Sequence, residues 1–249
     1  MSRPRAAIAS ATARLLEIYR AMETMHAWRG WHWWPDADPF EVIVGAILVQ
    51  NTAWTNVERA LDRLRAVGAL SPGAMAALSL EELEELVRPS GQYRQKARKL
   101  RAFLDLVEAH GTLGRLLALP AAELRGRLLA TWGIGPETAD CILLYAARHP
   151  SFIVDAYMIR IYGRLGIGPG SDAGYAAWQR FFEERLAPEL LPRPSSLLPD
   201  GDGDVRDVWA RYRALMVLHA KYLCLKNRPK CGECLLSSRC GGVMEAGRG

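Results

Sequence analysis

Four cysteines near the carboxyl terminus are the densest group of chemically capable residues in the chain. Cys224, Cys231, Cys234 and Cys240 follow the pattern C-x6-C-x2-C-x5-C, whereas the fifth cysteine, Cys141, lies alone in an apolar stretch. Thiols this close in sequence predict one metal site and not a set of long-range crosslinks. Four thiolates can hold a 4Fe-4S cluster, and four can also hold a zinc ion in a tetrahedron.

A second feature is a glycine turn between two predicted helices. Gly133 and Gly135 flank one isoleucine, and Pro136 follows in a position that suits the first turn of a helix. Glycines let a phosphate or a second backbone come close, and a helix start offers unpaired N–H donors and the positive end of the helix dipole. The turn therefore suits a DNA phosphate, although an ordinary helix-to-helix turn would also explain two glycines.

An aspartate follows this turn by about twenty residues. Asp155 comes after an apolar run and opens a predicted helix. An aspartate in that place can be an N-cap, whose side chain accepts a hydrogen bond from the first turn. A carboxylate can also stabilise developing positive charge or deprotonate a water. Both interpretations stay open on the sequence alone.

The elements that must position these residues are predicted to be helices. Apolar residues recur with helical spacing, and no segment alternates apolar and polar residues as a strand does, so the predicted fold class is all-α. The segment 188–204 is rich in Pro, Gly and Asp and is predicted to be a mobile surface loop. The predicted helices are 6–25, 40–64, 79–87, 95–109, 113–117, 121–130, 136–147, 156–165, 175–186 and 205–222.

The composition fits a folded chain of one or two domains. Of 249 residues, 50% are hydrophobic and 24% are charged, and 32 basic against 27 acidic residues give a net charge of +5. That charge suits an anionic partner without proving one. A long apolar run and a signal-peptide pattern are both absent, so we expect a soluble, cytoplasmic protein without membrane association. A membrane span, a collagen-like chain, a disordered chain and a disulfide-stapled mini-protein are excluded.

The turn, the aspartate and the cysteine spacing together resemble the endonuclease III superfamily of DNA glycosylases, with its helix-hairpin-helix and Gly/Pro-Asp signature. The cysteine spacing is the one seen in endonuclease III and its adenine-glycosylase relatives, which implies a 4Fe-4S cluster. Within the superfamily the chain is most similar to the branch of 3-methyladenine DNA glycosylase III, some members of which lack these cysteines. The motifs behind this resemblance are Trp33-Trp34-Pro35, the stretch 45–52 with Gln50, Asn51 and Thr52, the stretch 87–97 and the hairpin 133–140.

The resemblance implies a site for an extruded DNA base. Asp155 would be the catalytic carboxylate, beside a sugar that gains positive charge. Trp33, Trp34 and Trp54 would stack on the base, and a cationic alkylpurine would gain cation–π attraction from them. The alternative for these tryptophans is packing in the core or over a domain seam.

The resemblance also implies a DNA-contacting surface. Gln50 and Asn51 would fill the gap that the extruded base leaves, although a capping or helix-surface role is the alternative for both. The remaining predicted DNA contacts lie in the hairpin and are Gly133, Gly135, Glu137 and Thr138.

One position departs from endonuclease III. That bifunctional enzyme has a hairpin lysine that forms a Schiff base with the sugar, whereas Glu137 stands at the matching position here. Without that amine, the enzyme is expected to stop at the abasic site. The alternative for Glu137 is a first-turn acid favoured by the helix dipole.

The resemblance therefore implies a monofunctional glycosylase for damaged, chiefly alkylated, purines in double-stranded DNA, acting as a monomer. The alternatives are an endonuclease III-like glycosylase and AP lyase for oxidised pyrimidines, a uracil or thymine mismatch glycosylase, and a non-catalytic protein that binds damaged DNA. The expected architecture is two helical lobes. A six-helix domain would span 40–150 and carry the hairpin, and a discontinuous iron-sulfur domain would join 1–39 to 151–249, with Asp155 at the cleft between them.

Overall fold

The computed structural model describes residues 3–29, 38–170, 172–188, 191 and 204–241. All regular elements within these ranges are helical, which confirms the all-α prediction, and none of the described helices is long and apolar enough to cross a membrane. The helices are α1 (Arg3–His26), α2 (Pro39–Leu48), α3 (Trp54–Ala66), α4 (Pro72–Ala77), α5 (Leu80–Val87), α6 (Tyr93–Ala109), α7 (Leu113–Leu117), α8 (Ala121–Ala130), α9 (Pro136–Cys141), α10 (Ala156–Leu165), α11 (Tyr175–Arg185) and α12 (Val205–Tyr222).

The chain divides into two compact units. We call Trp34–Ser151 the hairpin unit, and Met1–Trp33 together with Phe152–Gly249 the cysteine unit. The assignment of independent domains to 40–150 and to 1–39 with 151–249 stays a prediction. Most of the predicted loop at 188–204 lies outside the described residues.

Helix α2 is the centre of the hairpin unit. Its residues 42–48 are all buried, because the segment is apolar on every side and cannot present a polar face to water. Asp38 caps its start by accepting a hydrogen bond from the Phe40 backbone N–H at 2.8 Å. The same core is lined by α3, α5, α6, α8 and α9, and α9 continues as a wider π turn at Ile142–Ala146.

The prediction of one helix over 40–64 is wrong. The turn 49–53 separates α2 from α3, and Asn51 lies in it with a φ of 55°. Asparagine is among the few non-glycine residues that tolerate this left-handed conformation. Apolar residues keep the helical spacing of four residues across the break, at Val49, Ala53 and Val57, so periodicity alone did not reveal the turn. The turn brings Gln50 to the hairpin and leaves Asn51 exposed.

The cysteine unit has an aromatic core. It is built from α1, α10, α11 and α12, whose largest buried side chains include Tyr19, Tyr162, Trp178, Phe182 and Tyr212. The Tyr162 and Tyr212 hydroxyls are hydrogen-bonded to each other, and Tyr212 donates to the Leu15 carbonyl at 3.0 Å. After α12 the described chain forms only two short 3-10 turns, Cys231–Glu233 and Ser237–Arg239. The four clustered cysteines lie in and around these turns.

Candidate active site

The hairpin turn requires glycine at position 133. Gly133 has a φ of +83°, and a Cβ built there would lie 2.3 Å from the Lys99 side chain. The aliphatic part of Lys99 therefore packs directly over the Gly133 backbone. Gly135, by contrast, has an ordinary φ of −92° and caps the start of α9.

Gln50 ties the turn 49–53 to the hairpin. Its Nε2 donates to the Gly133 carbonyl at 3.3 Å and to Thr138 Oγ1 at 3.0 Å, and Lys99 Nζ donates to its Oε1. Thr138 is buried, and burial lowers the pKa of Lys99. Gln50 would have to give up these bonds to enter a DNA duplex, whereas the exposed Asn51 would not. Sequence analysis missed Lys99, because only the folded chain brings it to Gly133.

Asp140 anchors α9 from inside the hairpin unit. The side chain is fully buried and accepts two hydrogen bonds from Arg125, at 2.8 and 3.1 Å, and one from the Ser151 hydroxyl at 2.8 Å. The paired geometry of Arg125 is the strong, directional form of a carboxylate contact. Asp140 thus fastens the second helix of the hairpin to α8 and to the end of the unit.

The outer surface of the hairpin carries Gly135, Glu137 and Trp132. Glu137 lies in the first turn of α9 and is exposed. Trp132 immediately precedes Gly133, and 56% of its surface is exposed. Sequence analysis did not single out Trp132, because an exposed tryptophan and a core tryptophan look alike in sequence.

The structure describes one of the three predicted pocket tryptophans. Trp54 is the first residue of α3, is partly buried against the hairpin-unit core, and donates from its indole N–H to Glu58 at 2.9 Å. Trp33 and Trp34 lie outside the described residues. The predicted base pocket therefore stays a prediction.

Asp155 caps α10, as the simpler interpretation of the sequence predicts. Its Oδ1 accepts from the Met158 backbone N–H at 2.9 Å, and its Oδ2 lies 3.7 Å from Arg213 Nη2. The carboxylate is buried, at 7% exposure. The cap and the guanidinium together hold the carboxylate in one orientation, which a catalytic carboxylate also needs. Arg213 was not among the predicted site residues.

The four clustered cysteines line one cavity. Its other walls include the apolar residues Ile161, Leu165 and Leu236. All the cysteines are free thiols. Burial raises the pKa of Cys234, the Leu236 N–H bond opposes this, and the charges of the other three thiols add to it. Cys224 Sγ accepts from Arg164 Nη1 at 3.2 Å, and Cys234 Sγ from the Leu236 N–H at 3.4 Å.

This donor set has the chemistry that an iron-sulfur cluster requires. The part of the chain that the structure describes holds no group of three or more His, Cys, Asp or Glu placed around one metal ion. A 4Fe-4S cluster takes one cysteine on each of its four irons, so its ligands stand farther apart than those of a single ion. Four soft thiol donors around a partly apolar cavity suit such a cluster.

Two histidines stand behind Cys234. His219 Nε2 lies 3.8 Å from Cys234 Sγ, and His219 Nδ1 lies 3.0 Å from His26 Nε2. Burial lowers the pKa of both rings to about 4, and nearby positive charge adds to the effect, so both are neutral near pH 7. The two histidines are 193 positions apart, and no sequence signal links them.

Comparison with known proteins identifies the fold and the family. The model of the HhH-GPD superfamily of base excision DNA repair proteins matches residues 44–188. The chain belongs to this superfamily. It is a base excision repair DNA glycosylase of the HhH-GPD type, as the resemblance in the sequence implied.

Two relatives align with most of this chain. The Methanocaldococcus jannaschii protein MJ1434, which is named as a DNA repair glycosylase, is 36% identical over 212 residues, covering 84% of this chain and 88% of its own length. Endonuclease III of Thermotoga maritima is 30% identical over 220 residues, covering 86% and 88%.

Solved HhH-GPD structures share the fold. The 3-methyladenine DNA glycosylase MagIII of H. pylori, bound to 1,N6-ethenoadenine, superposes with a TM-score of 0.73 and 28% identity over 83% of this chain and 97% of its own. A non-covalent endonuclease III–DNA complex superposes with a TM-score of 0.74 over 96% and 99%. Its 21% identity makes this second likeness one of fold alone.

Proposed function

We propose that this protein is a monofunctional DNA glycosylase that removes alkylated purines from double-stranded DNA. The observation that carries the monofunctional assignment is the hairpin chemistry. By the resemblance of the hairpin to that of endonuclease III, Glu137 stands at the position of that enzyme's Schiff-base lysine. The two lysines of the hairpin unit are hydrogen-bonded within it. Lys96 is buried and donates to the Ser90 carbonyl at 2.6 Å, and Lys99 donates to Gln50.

Asp155 is the proposed catalytic residue. In N-glycosidic hydrolysis the bond between C1′ and the base nitrogen breaks, its electron pair leaves with the base, and water adds to the cationic sugar. An anionic carboxylate stabilises that cation and accepts the proton of the attacking water. The cap to Met158 and the contact with Arg213 hold Asp155 before substrate arrives, so little reorientation is needed.

The preference for alkylpurines follows from leaving-group chemistry and from the relatives. A purine alkylated at N3 or N7 is already cationic, so it departs as a neutral base without a general acid. Trp54, with Trp33 and Trp34, is proposed to stack on such a base, where the cation adds to the stacking energy. The structure of H. pylori MagIII holds 1,N6-ethenoadenine, a modified purine, which supports a purine-binding pocket in this part of the family.

The proposed DNA contacts divide between two elements of the hairpin unit. The backbone N–H groups of the hairpin 133–138 would bind a phosphate, and Asn51 would enter the duplex where the base has left. Asn51 fits the second role because it is exposed and its backbone is already in the turn conformation. Gln50 and Thr138, which bond to each other, would then support the hairpin from within.

We also propose that Cys224, Cys231, Cys234 and Cys240 hold a 4Fe-4S cluster. When bound, the cluster supplies a structural crosslink for residues 223–241 and a redox centre that hydrolysis does not use. The four thiols supply its ligands, and Arg164 donates to one of them. The assignment is supported by the shared cavity and by the endonuclease III relatives.

The proposed substrate is tested by base release from duplexes that each carry one lesion. The panel contains 3-methyladenine, 7-methylguanine, uracil opposite guanine, thymine opposite guanine, and thymine glycol, and liberated bases are quantified by mass spectrometry. We expect release of the two methylpurines. Preferential release of uracil or thymine, or of thymine glycol, would contradict the alkylpurine assignment. Binding without release of any base would make the protein a non-catalytic reader of damage.

A further inference from the structure

The pair of buried histidines behind Cys234 has no part in base excision as described above. His26 is the last residue of α1 and is fully buried, and His219 lies in the last turn of α12 with 2% of its surface exposed. Their rings meet edge to face, with centroids 5.3 Å apart. The pair forms a continuous line of contacts from His26 through His219 to the sulfur of Cys234.

The position of the protons in this line follows from hydrogen-bond accounting. His26 Nδ1 is buried and has no hydrogen-bond partner among the described residues. Were its proton on Nδ1, a buried N–H donor would be left unpaired, and His219 would turn a lone pair toward the sulfur. With the proton on Nε2 of each ring, His26 donates to His219 Nδ1 and His219 donates to Cys234 Sγ. Only an acceptor lone pair then lacks a partner, which is the less costly and more common case.

We propose that His219 donates a hydrogen bond to the Cys234 thiolate of the 4Fe-4S cluster and that His26 is the positioning residue that fixes the His219 tautomer. This inference rests on the proposed cluster. A donor behind a ligand orients that ligand and withdraws charge from it. Hydrogen bonds to the sulfurs are among the determinants of cluster potential. The pair therefore stabilises the more reduced, more negatively charged state and protects the cluster from oxidative loss.

Cys234 also has a donor that does not depend on the histidine pair. Leu236 N–H supplies a second, backbone donor to the same sulfur at 3.4 Å, so removal of His219 weakens the environment of Cys234 without emptying it of donors.

The experiment compares purified holoprotein variants for iron and sulfide content and for loss of visible cluster absorbance in ferricyanide. His219→Leu keeps a comparable volume but loses the donor, and we expect about tenfold faster loss of the cluster. His26→Leu removes only the bond that fixes the tautomer, so a smaller acceleration is expected. His219→Gln restores an N–H donor and should approach wild type. His110→Leu, in the hairpin unit, is the matched control and should match wild type.

A spectroscopic measurement keeps the inference falsifiable if His219→Leu folds poorly. Resonance Raman Fe–S bands of the wild-type protein should shift on exchange into D2O. The shift should be smaller in His26→Leu and nearly as large as in wild type in His219→Gln. Equal oxidation rates and equal D2O shifts in all variants with full iron content would overturn the donor chain and leave the cluster assignment intact. Wild-type protein with zinc or without iron and sulfide would overturn the cluster assignment itself, and the inference with it.

Discussion

The hairpin unit and the cysteine unit hold their functional residues in place by different means. In the hairpin unit, side chains fasten one another: Lys99 and Gln50 hold the turn, and Arg125 holds Asp140. In the cysteine unit, residues 223–241 form only two short turns, and their thiols face one shared cavity. The proposed DNA-contacting element is thus fixed by side chains that bond to one another, whereas the carboxyl-terminal segment is fixed by Arg160 and Arg164 of α10, which donate to its backbone carbonyls and to Cys224 Sγ.

The largest expected effect is on catalysis. Asp155→Asn keeps the N-cap of α10, because asparagine caps as well as aspartate, but it removes the negative charge. We expect base release to slow by about 10²–10³-fold, with DNA affinity retained. Single-turnover release and fluorescence anisotropy measure the two quantities. Asp105→Asn, at an exposed position of α6, is the control, and a similar loss in both variants would remove Asp155 from the mechanism.

The next effect is a loss of stability that is expected in the hairpin unit and not in the cysteine unit. Asp140→Asn removes the charge that the partly exposed Arg125 bonds to and should lower the free energy of unfolding of the hairpin unit by about 2 kcal/mol. Because Asp140 belongs to the hairpin unit, the absorbance of the proposed cluster in the cysteine unit should be unchanged at low temperature. Hydrogen exchange resolved by peptide checks both statements. Equal loss of protection in 223–241 and in α9 would show that the two units are not stabilised separately.

One pH effect on stability should arise in the hairpin unit. Burial, followed by the charge of Lys99, lowers the pKa of Lys96 to about 8, against 10.5 for a free lysine. Between these values the unfolded chain holds a proton that the folded protein has released, so stability should rise with pH. The rise from pH 8 to 10.5 is on the order of 3 kcal/mol. Urea titrations should show it as a difference between wild type and Lys96→Met, whose residue 96 does not titrate.

The smallest effect concerns DNA affinity. Lys99→Met removes the charged donor to Gln50 and should weaken binding by about 1.5 kcal/mol, roughly tenfold in Kd. If Lys99 acts only within the hairpin, the slope of log Kd against log salt should stay as in wild type. A phosphate contact would instead reduce the slope by about one. Arg98→Met, an exposed cation on the same helix, is the control for loss of charge.

The parts of the fold that the sequence predicted are those with local causes. Helices over 113–117, 121–130, 156–165 and 205–222 have the predicted bounds, because their apolar periodicity agrees with their ends. The Asp155 cap is likewise local, since donor and acceptor are three residues apart. The break at Asn51 was missed, because Val49, Ala53 and Val57 keep a helical spacing of four residues across the turn.

The contacts that build the site could not be predicted from the sequence, because their partners are far apart in the chain. Gln50 reaches Thr138 across 88 positions, and His26 reaches His219 across 193. None of these residue types signals its partner, because amides, lysines and histidines are usual on helix surfaces. Cysteine spacing and the glycine turn were informative since their chemistry is unusual at such short separations.

We propose that the enzyme stops at the abasic site because its hairpin has Glu137 where endonuclease III has a lysine. The direct test is strand scission of a 3-methyladenine duplex with and without alkali, together with borohydride trapping, in wild type, Glu137→Gln and Glu137→Lys. We expect breaks only after alkali and no trapped complex for wild type and Glu137→Gln, and a trapped complex for Glu137→Lys. Alkali-independent breaks with a trapped wild-type complex would contradict the claim and show that another amine reaches the sugar.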